Sequence, residues 1–165
     1  MLRVHVKAVE NCRWDHRGMR EFGFVRAKVL SIWVALVLAA LPVSAKAGVR
    51  VEIDVGSQNM DVYVGGNLRY SWRVSTGREG YETPGGTFRA KRLEEEWYST
   101  QYDDAPMPHA VFFNGGIAIH GTYDTKRLGR AASHGCVRLS PGNAARLYSL
   151  VEQHGPGNTV IEVND

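Results

Sequence analysis

A cysteine thiol is a strong nucleophile once it is a thiolate, and a neighbouring imidazole can take its proton or, when protonated, lower its pKa. Cys136 and His120 lie sixteen positions apart, in Ile119-His-Gly-Thr122 and Ser133-His-Gly-Cys-Val-Arg-Leu139. Each sits at the edge of a strand-like run, so pairing of the two runs in one sheet would let the side chains face each other. Gly135 allows a backbone to approach a substrate with no Cβ in the way. The N–H groups around Gly135 and Cys136 are candidates for an oxyanion hole, usually the largest contribution to acyl transfer. Arg138 follows Cys136 by two, hence shares its face in a regular strand, and could hold a substrate carboxylate by paired hydrogen bonds.

The same residues admit blander readings. Cysteine is commonly a small buried hydrophobe, and an isolated histidine on an apolar strand is more often a satisfied core group than a catalyst. The Ser-His-Gly before Cys136 and the Arg after it weigh against both. A zinc site is a third reading, since His120, His134 and Cys136 are competent ligands. A closed site needs a fourth ligand, which His109 or His154 would supply only by chance of folding, and no tight Cys-x-x-Cys spacing is present. No metal is expected.

The elements that must position these groups are mostly strands. Val49–Val55 alternates apolar and polar residues with period two, Met60–Val64 is a second run, and Leu68–Ser75 a third. Gly65-Gly66-Asn67 between the last two supplies positive φ for a hairpin turn. Gly77, Gly80, Pro84, Gly85 and Gly86 punctuate a loop before a fourth run, Thr87–Leu93, and this half reads as a β-meander. Residues 94–109 form a long polar loop, and Trp97, Tyr98 and Tyr102 within it are candidate walls of a cleft. Ala110–Phe113 and Gly116–His120 are short apolar strands around Asn114-Gly115, and Gly135–Leu139 is another strand. One helix is expected, capped by Ser140 with Pro141 at its first position, presenting Ala144, Leu147, Tyr148, Leu150 and Val151 on a broad face and stopped by Gly155-Pro156. Thr159–Val163 is the final strand. The domain is therefore mainly β with one helix near its C-terminal end.

The first 47 of the 165 residues carry a different pattern. Val29–Ala45 is apolar and uncharged, follows Arg26 and Lys28, and ends in small residues, which are the three parts of an export signal. Met19 begins a leader of more ordinary length, so translation from Met19 is expected. The apolar run of about seventeen residues lies at the lower edge of a membrane span, which makes an uncleaved anchor the alternative. Either outcome places residues 48–165 outside the cytoplasm, as one small domain of about 118 residues. Residues 1–47 hold eight Lys/Arg and three Asp/Glu (+5) and the remainder twelve and fourteen (−2), giving the net +3. The basic excess thus belongs to the leader, and no nucleic-acid partner is expected. Cys136 is the only cysteine after the leader, so the domain closes no internal disulfide.

The run SHGCVRL, preceded by the His120-Gly121 pair, resembles the signature of the L,D-transpeptidase (YkuD-like) catalytic domain. Asp54–Tyr63, Val74-Ser-Thr-Gly77, Thr83-Pro-Gly-Gly-Thr-Phe88, Met107-Pro108 and Asn143–Val151 are also similar to family segments. The resemblance implies a β-sandwich-like fold with Cys136 as nucleophile, His120 as general base and acid, and the Gly121 carbonyl orienting His120. It implies that Ser133, His134, Gly135 and Arg138 line the substrate and oxyanion subsites, with no cofactor. It further implies a ping-pong transfer on peptidoglycan stem peptides, in which Cys136 releases the terminal D-alanine of a tetrapeptide and an amine acceptor resolves the thioester as a 3→3 cross-link. Hydrolysis by water (an L,D-carboxypeptidase), attachment or detachment of an envelope protein, and a peptidoglycan-binding module without turnover are the alternatives. Acylation of Cys136 by a carbapenem is expected on the same grounds. The export signal makes the periplasm or cell envelope the expected location, and the sequence leaves the oligomeric state open.

Overall fold

The structure, a computed structural model, describes residues 48–165. The expectations placed on residues 1–47, namely the export signal, the start at Met19 and the alternative anchor, lie outside the described residues. Among the described residues, nine strands and one α-helix follow in the order β1 (Val49–Asp54), β2 (Asn59–Val64), β3 (Asn67–Arg73), β4 (Gly86–Arg89), β5 (Arg92–Glu94), β6 (Ala110–Asn114), β7 (Ile117–Gly121), β8 (Val137–Leu139), α1 (Pro141–His154) and β9 (Thr159–Asn164). They build a five-stranded sheet of order β3-β2-β1-β9-β4 and a four-stranded sheet of order β5-β6-β7-β8. The mainly β, sandwich-like architecture expected from the sequence is the one observed.

Period-two alternation decides which faces meet. Val49, Val51 and Ile53 of β1, Met60 and Val62 of β2, and Ile161 and Val163 of β9 turn to one side of the first sheet and are buried. They share a core with Val111, Phe113, Ile119, Val137 and Leu139 of the second sheet and with Ala144, Leu147 and Val151 of α1. Phe88 and Phe113 meet within it at 5.2 Å between ring centroids. The helix begins as the sequence indicates: the Ser140 side chain accepts from the Asn143 N–H, Pro141 opens the first turn, and Gly155 caps the end at φ 93°.

Two expectations are corrected. Only β1, β2 and β3 form a meander, because β9 inserts beside β1, parallel to it, and β4 pairs with β9 rather than β3. The run Thr87–Leu93 is two strands in two sheets: Ala90 N–H still donates to Thr159 O of the first sheet, at 3.1 Å, while Lys91 N–H donates to Phe112 O of the second, at 2.8 Å. The third expected strand likewise ends at Arg73. Beyond it, Ser75 pairs with Arg138 and Gly77 with Ser133, so residues 74–77 leave the first sheet to flank β8.

Candidate active site

Strands β7 and β8 are adjacent and parallel, with Ile119 opposite Val137 and His120 opposite Arg138. Alternation sends Ile119, Val137 and Leu139 into the core. It therefore sends Ala118, His120, Cys136 and Arg138 to the other face, and the last three line a cavity of about 650 Å³. Cys136 lies one step along the sheet from His120, on the diagonal, so the expected juxtaposition of the two strand edges is met. The row continues across the sheet, because Ala118 is opposite Phe112 and Phe112 opposite Arg92. A second small core of Met107, Ala110, Phe112 and Ala118, with Trp97 and Cys136 against it, floors the site.

His120 is 5% exposed. Its Nδ1 lies 2.7 Å from Gly121 O, and a carbonyl can only accept, so Nδ1 carries the proton and Nε2 is left as the basic nitrogen. Burial pushes the imidazole down to about 4, opposed by the Gly121 bond and reinforced by the Arg138 charge. Gly121 is held in turn, its N–H donating to Pro108 O at 2.8 Å. A Cβ there would sit 3.0 Å from Pro108 Cγ and 3.2 Å from Pro141 Cα. Burial also pushes the Cys136 thiol up, against the pull of the Ala118 N–H and of Arg138. Burial thus favours the neutral form of both groups.

The turn before Cys136 is fixed from three sides. Ser133, wholly buried, donates from Oγ to Cys136 O at 2.5 Å and accepts the Gly135 N–H at 3.1 Å. The Ser133 hydroxyl and the Gly135 amide are therefore spent within the turn, which leaves the Cys136 N–H as the oxyanion candidate of the two amides singled out from the sequence. The Ala132 and Ser133 N–H groups both donate to Thr76 O at 2.9 Å, and Arg138 exchanges two bonds with Ser75. Thr83 Oγ1 accepts the Gly77 N–H and donates to Gly135 O, each at 2.9 Å. The 74–76 segment is itself anchored by Gln58, whose amide accepts from Thr76 N–H and donates to Thr76 Oγ1 and Val55 O.

His134 borders the cavity rather than its floor, stacked on Tyr102 at 4.3 Å and met edge-on by Tyr81 at 4.9 Å. Trp97 and Tyr102 line the cavity as expected, whereas Tyr98 is 57% exposed and does not. Sequence reasoning passed over Arg92, Tyr123, Asp124 and Arg127, which also line it. Arg127 is braced by Asp124 at 3.0 Å. The signal for the last three was that the loop from Gly121 to Ser133 starts and ends at site residues. Among the described residues, no three His, Cys, Asp or Glu side chains gather as a metal site would require.

The profile of the L,D-transpeptidase (YkuD) catalytic domain matches residues 48–163. This chain belongs to that family. The Bacillus subtilis (strain 168) protein named "Putative L,D-transpeptidase YciB" is 27% identical over 119 residues, covering 63% of this chain and 61% of its own. An L,D-transpeptidase from Mycobacterium smegmatis superposes with TM-score 0.65 at 26% identity, over 72% of this chain and 59% of that one. The L,D-transpeptidase LdtMt1, solved in complex with imipenem, superposes with TM-score 0.64 at 22% identity, over 71% and 59%. The chain thus spans about three-fifths of the length of these relatives.

Proposed function

We propose that this L,D-transpeptidase-family chain is a cysteine acyltransferase that releases the terminal D-alanine of peptidoglycan tetrapeptide stems and passes the acyl group to an amine, forming a 3→3 cross-link. The observation that carries the proposal is the His120 Nδ1 bond to Gly121 O, which leaves Nε2 bare in the cavity that holds Cys136. His120 Nε2 takes the thiol proton as Sγ attacks the carbonyl of the third stem residue, and the carbonyl electron pair moves onto oxygen near the Cys136 N–H. Collapse breaks the C–N bond, and the proton held on His120 goes to the departing amine of D-alanine. An acceptor amine then gives a proton to His120 and attacks the thioester, and the thiolate leaves and is reprotonated. Arg138, opposite His120 in register, is suitably placed to take the carboxylate of the departing residue. The export signal read in residues 1–47 fits a substrate outside the cytoplasm, in the periplasm or cell envelope.

Incubating the protein and its Cys136→Ala variant with muropeptide tetrapeptides and reading the products by mass spectrometry tests this. Loss of D-alanine with new dimers, in the wild type alone, is expected. Tripeptides without dimers would mean carboxypeptidase action, and no Cys136-dependent product would remove the stem peptide as substrate. The neighbour solved with imipenem supports a parallel expectation, a covalent carbapenem adduct on Cys136 that the alanine variant lacks.

A further inference from the structure

In a trans peptide the C=O and N–H point in opposite directions, and the described chain has no cis bond. Whatever grips Gly135 O therefore aims the Cys136 N–H, since the two belong to one peptide unit. The grip comes from Thr83, 52 residues earlier in the chain. We propose that Thr83 is a positioning residue for acyl transfer, locking the Gly135–Cys136 peptide so that its N–H stays turned toward the oxygen of a carbonyl under attack by Sγ. The proposal rests on the acyl-transfer reading and deepens it.

The peptide needs a lock. Gly135 sits at φ 113°, and with no Cβ it has several backbone wells within reach. A rotation of this peptide would replace the N–H with a carbonyl oxygen, so that a developing oxyanion would meet repulsion in place of a donor. Ser133 cannot supply the lock. Its hydroxyl holds the Gly135 N–H and Cys136 O, which belong to the peptides on either side, and the middle one is left to Thr83.

Thr83 is itself well fixed. It is 6% exposed, and its one hydroxyl proton is committed to Gly135 O while its oxygen accepts the Gly77 N–H. Pro84 after it confines its backbone to extended conformations, and its β-branch stiffens χ1. The loop that delivers it closes tightly, since a Cβ on Gly77 would lie 1.9 Å from Tyr81 O.

Two reactions of one thiol separate positioning from mere stability. Alkylation by iodoacetamide passes through no oxyanion, whereas acylation by p-nitrophenyl acetate does. In the full-length protein, Thr83→Val keeps the shape and removes the hydroxyl; it is expected to slow acylation about 10- to 100-fold while alkylation stays near wild type. On stem peptides the loss should fall on kcat more than on KM. Thr83→Ser should restore most of the acylation rate, and the core variant Val62→Ala, though less stable, should keep the wild-type ratio of the two reactions. Equal losses of both reactions in Thr83→Val, or no rescue by Ser, would overturn the proposal. A wild type acylated by the ester but inert on stem peptides would keep the positioning role and discard the substrate; one alkylated but never acylated would discard both.

Discussion

An imidazole that loses its water on folding holds its proton less tightly than one in the unfolded chain, and His120 is such a group. Its pKa is lowered from 6.5 to about 4, so between those values the unfolded chain takes up a proton that the folded one refuses. The stability carried by the neutral imidazole is therefore complete above pH 6.5 and lost as pH falls toward 4, by about 3 kcal/mol over the window. Urea titrations at pH 7 and 4.5 should show this loss in the wild type and a smaller one in His120→Gln; parallel losses would mean that His120 titrates as in water. The acid limb of acylation should likewise fall near 4 instead of 6.5. At this scale the sequence was most legible, because a Cys/His pair, a glycine and an arginine declare their chemistry by type and spacing. Thr83 did not, since a hydroxyl in a turn becomes catalytically relevant only through the distant carbonyl it meets. Ser133 was likewise expected to face substrate, but a hydroxyl within two and three residues of a free N–H and a free C=O bonds those first.

Elements place these residues, and the segment 74–77 does so although it is no strand of either sheet. Its backbone flanks β8, and Gln58, held at φ 55°, clamps it through both ends of a buried amide. Gln58→Ala strips partners from Thr76 N–H and Val55 O, so a loss of roughly 2–4 kcal/mol is expected in urea unfolding; a change under 1 kcal/mol would show that the clamp is dispensable. Period-two alternation revealed β1, β2 and β9, and the Ser140-Pro141 cap revealed α1, because those signals are local. The division of Thr87–Leu93 was hidden, as no glycine or proline interrupts it. Pairing with β9 on one side and β6 on the other decides where it breaks, and that competition is tertiary. The loop 94–109 read as irregular, but its ends are tied by Met107 N–H to Trp97 O and His109 N–H to Glu95 O, each at 2.7 Å, which holds Trp97 against Phe112.

Across the whole molecule, the sandwich is closed by its last strand. β9 follows the other described elements yet lies between β1 and β4, so removing residues 159–165 deletes an interior strand of the first sheet. That truncation should abolish the cooperative urea transition; retention of a sharp transition would mean that the second sheet and α1 fold by themselves. The placement also bears on how the protein is born. While a ribosome still holds residues 159–165, β1 has β2 on one side and a bare edge on the other, a row of unmet amides inviting any passing strand. Until β9 docks, the exposed edge should invite a holdase, and the thiol should stay idle.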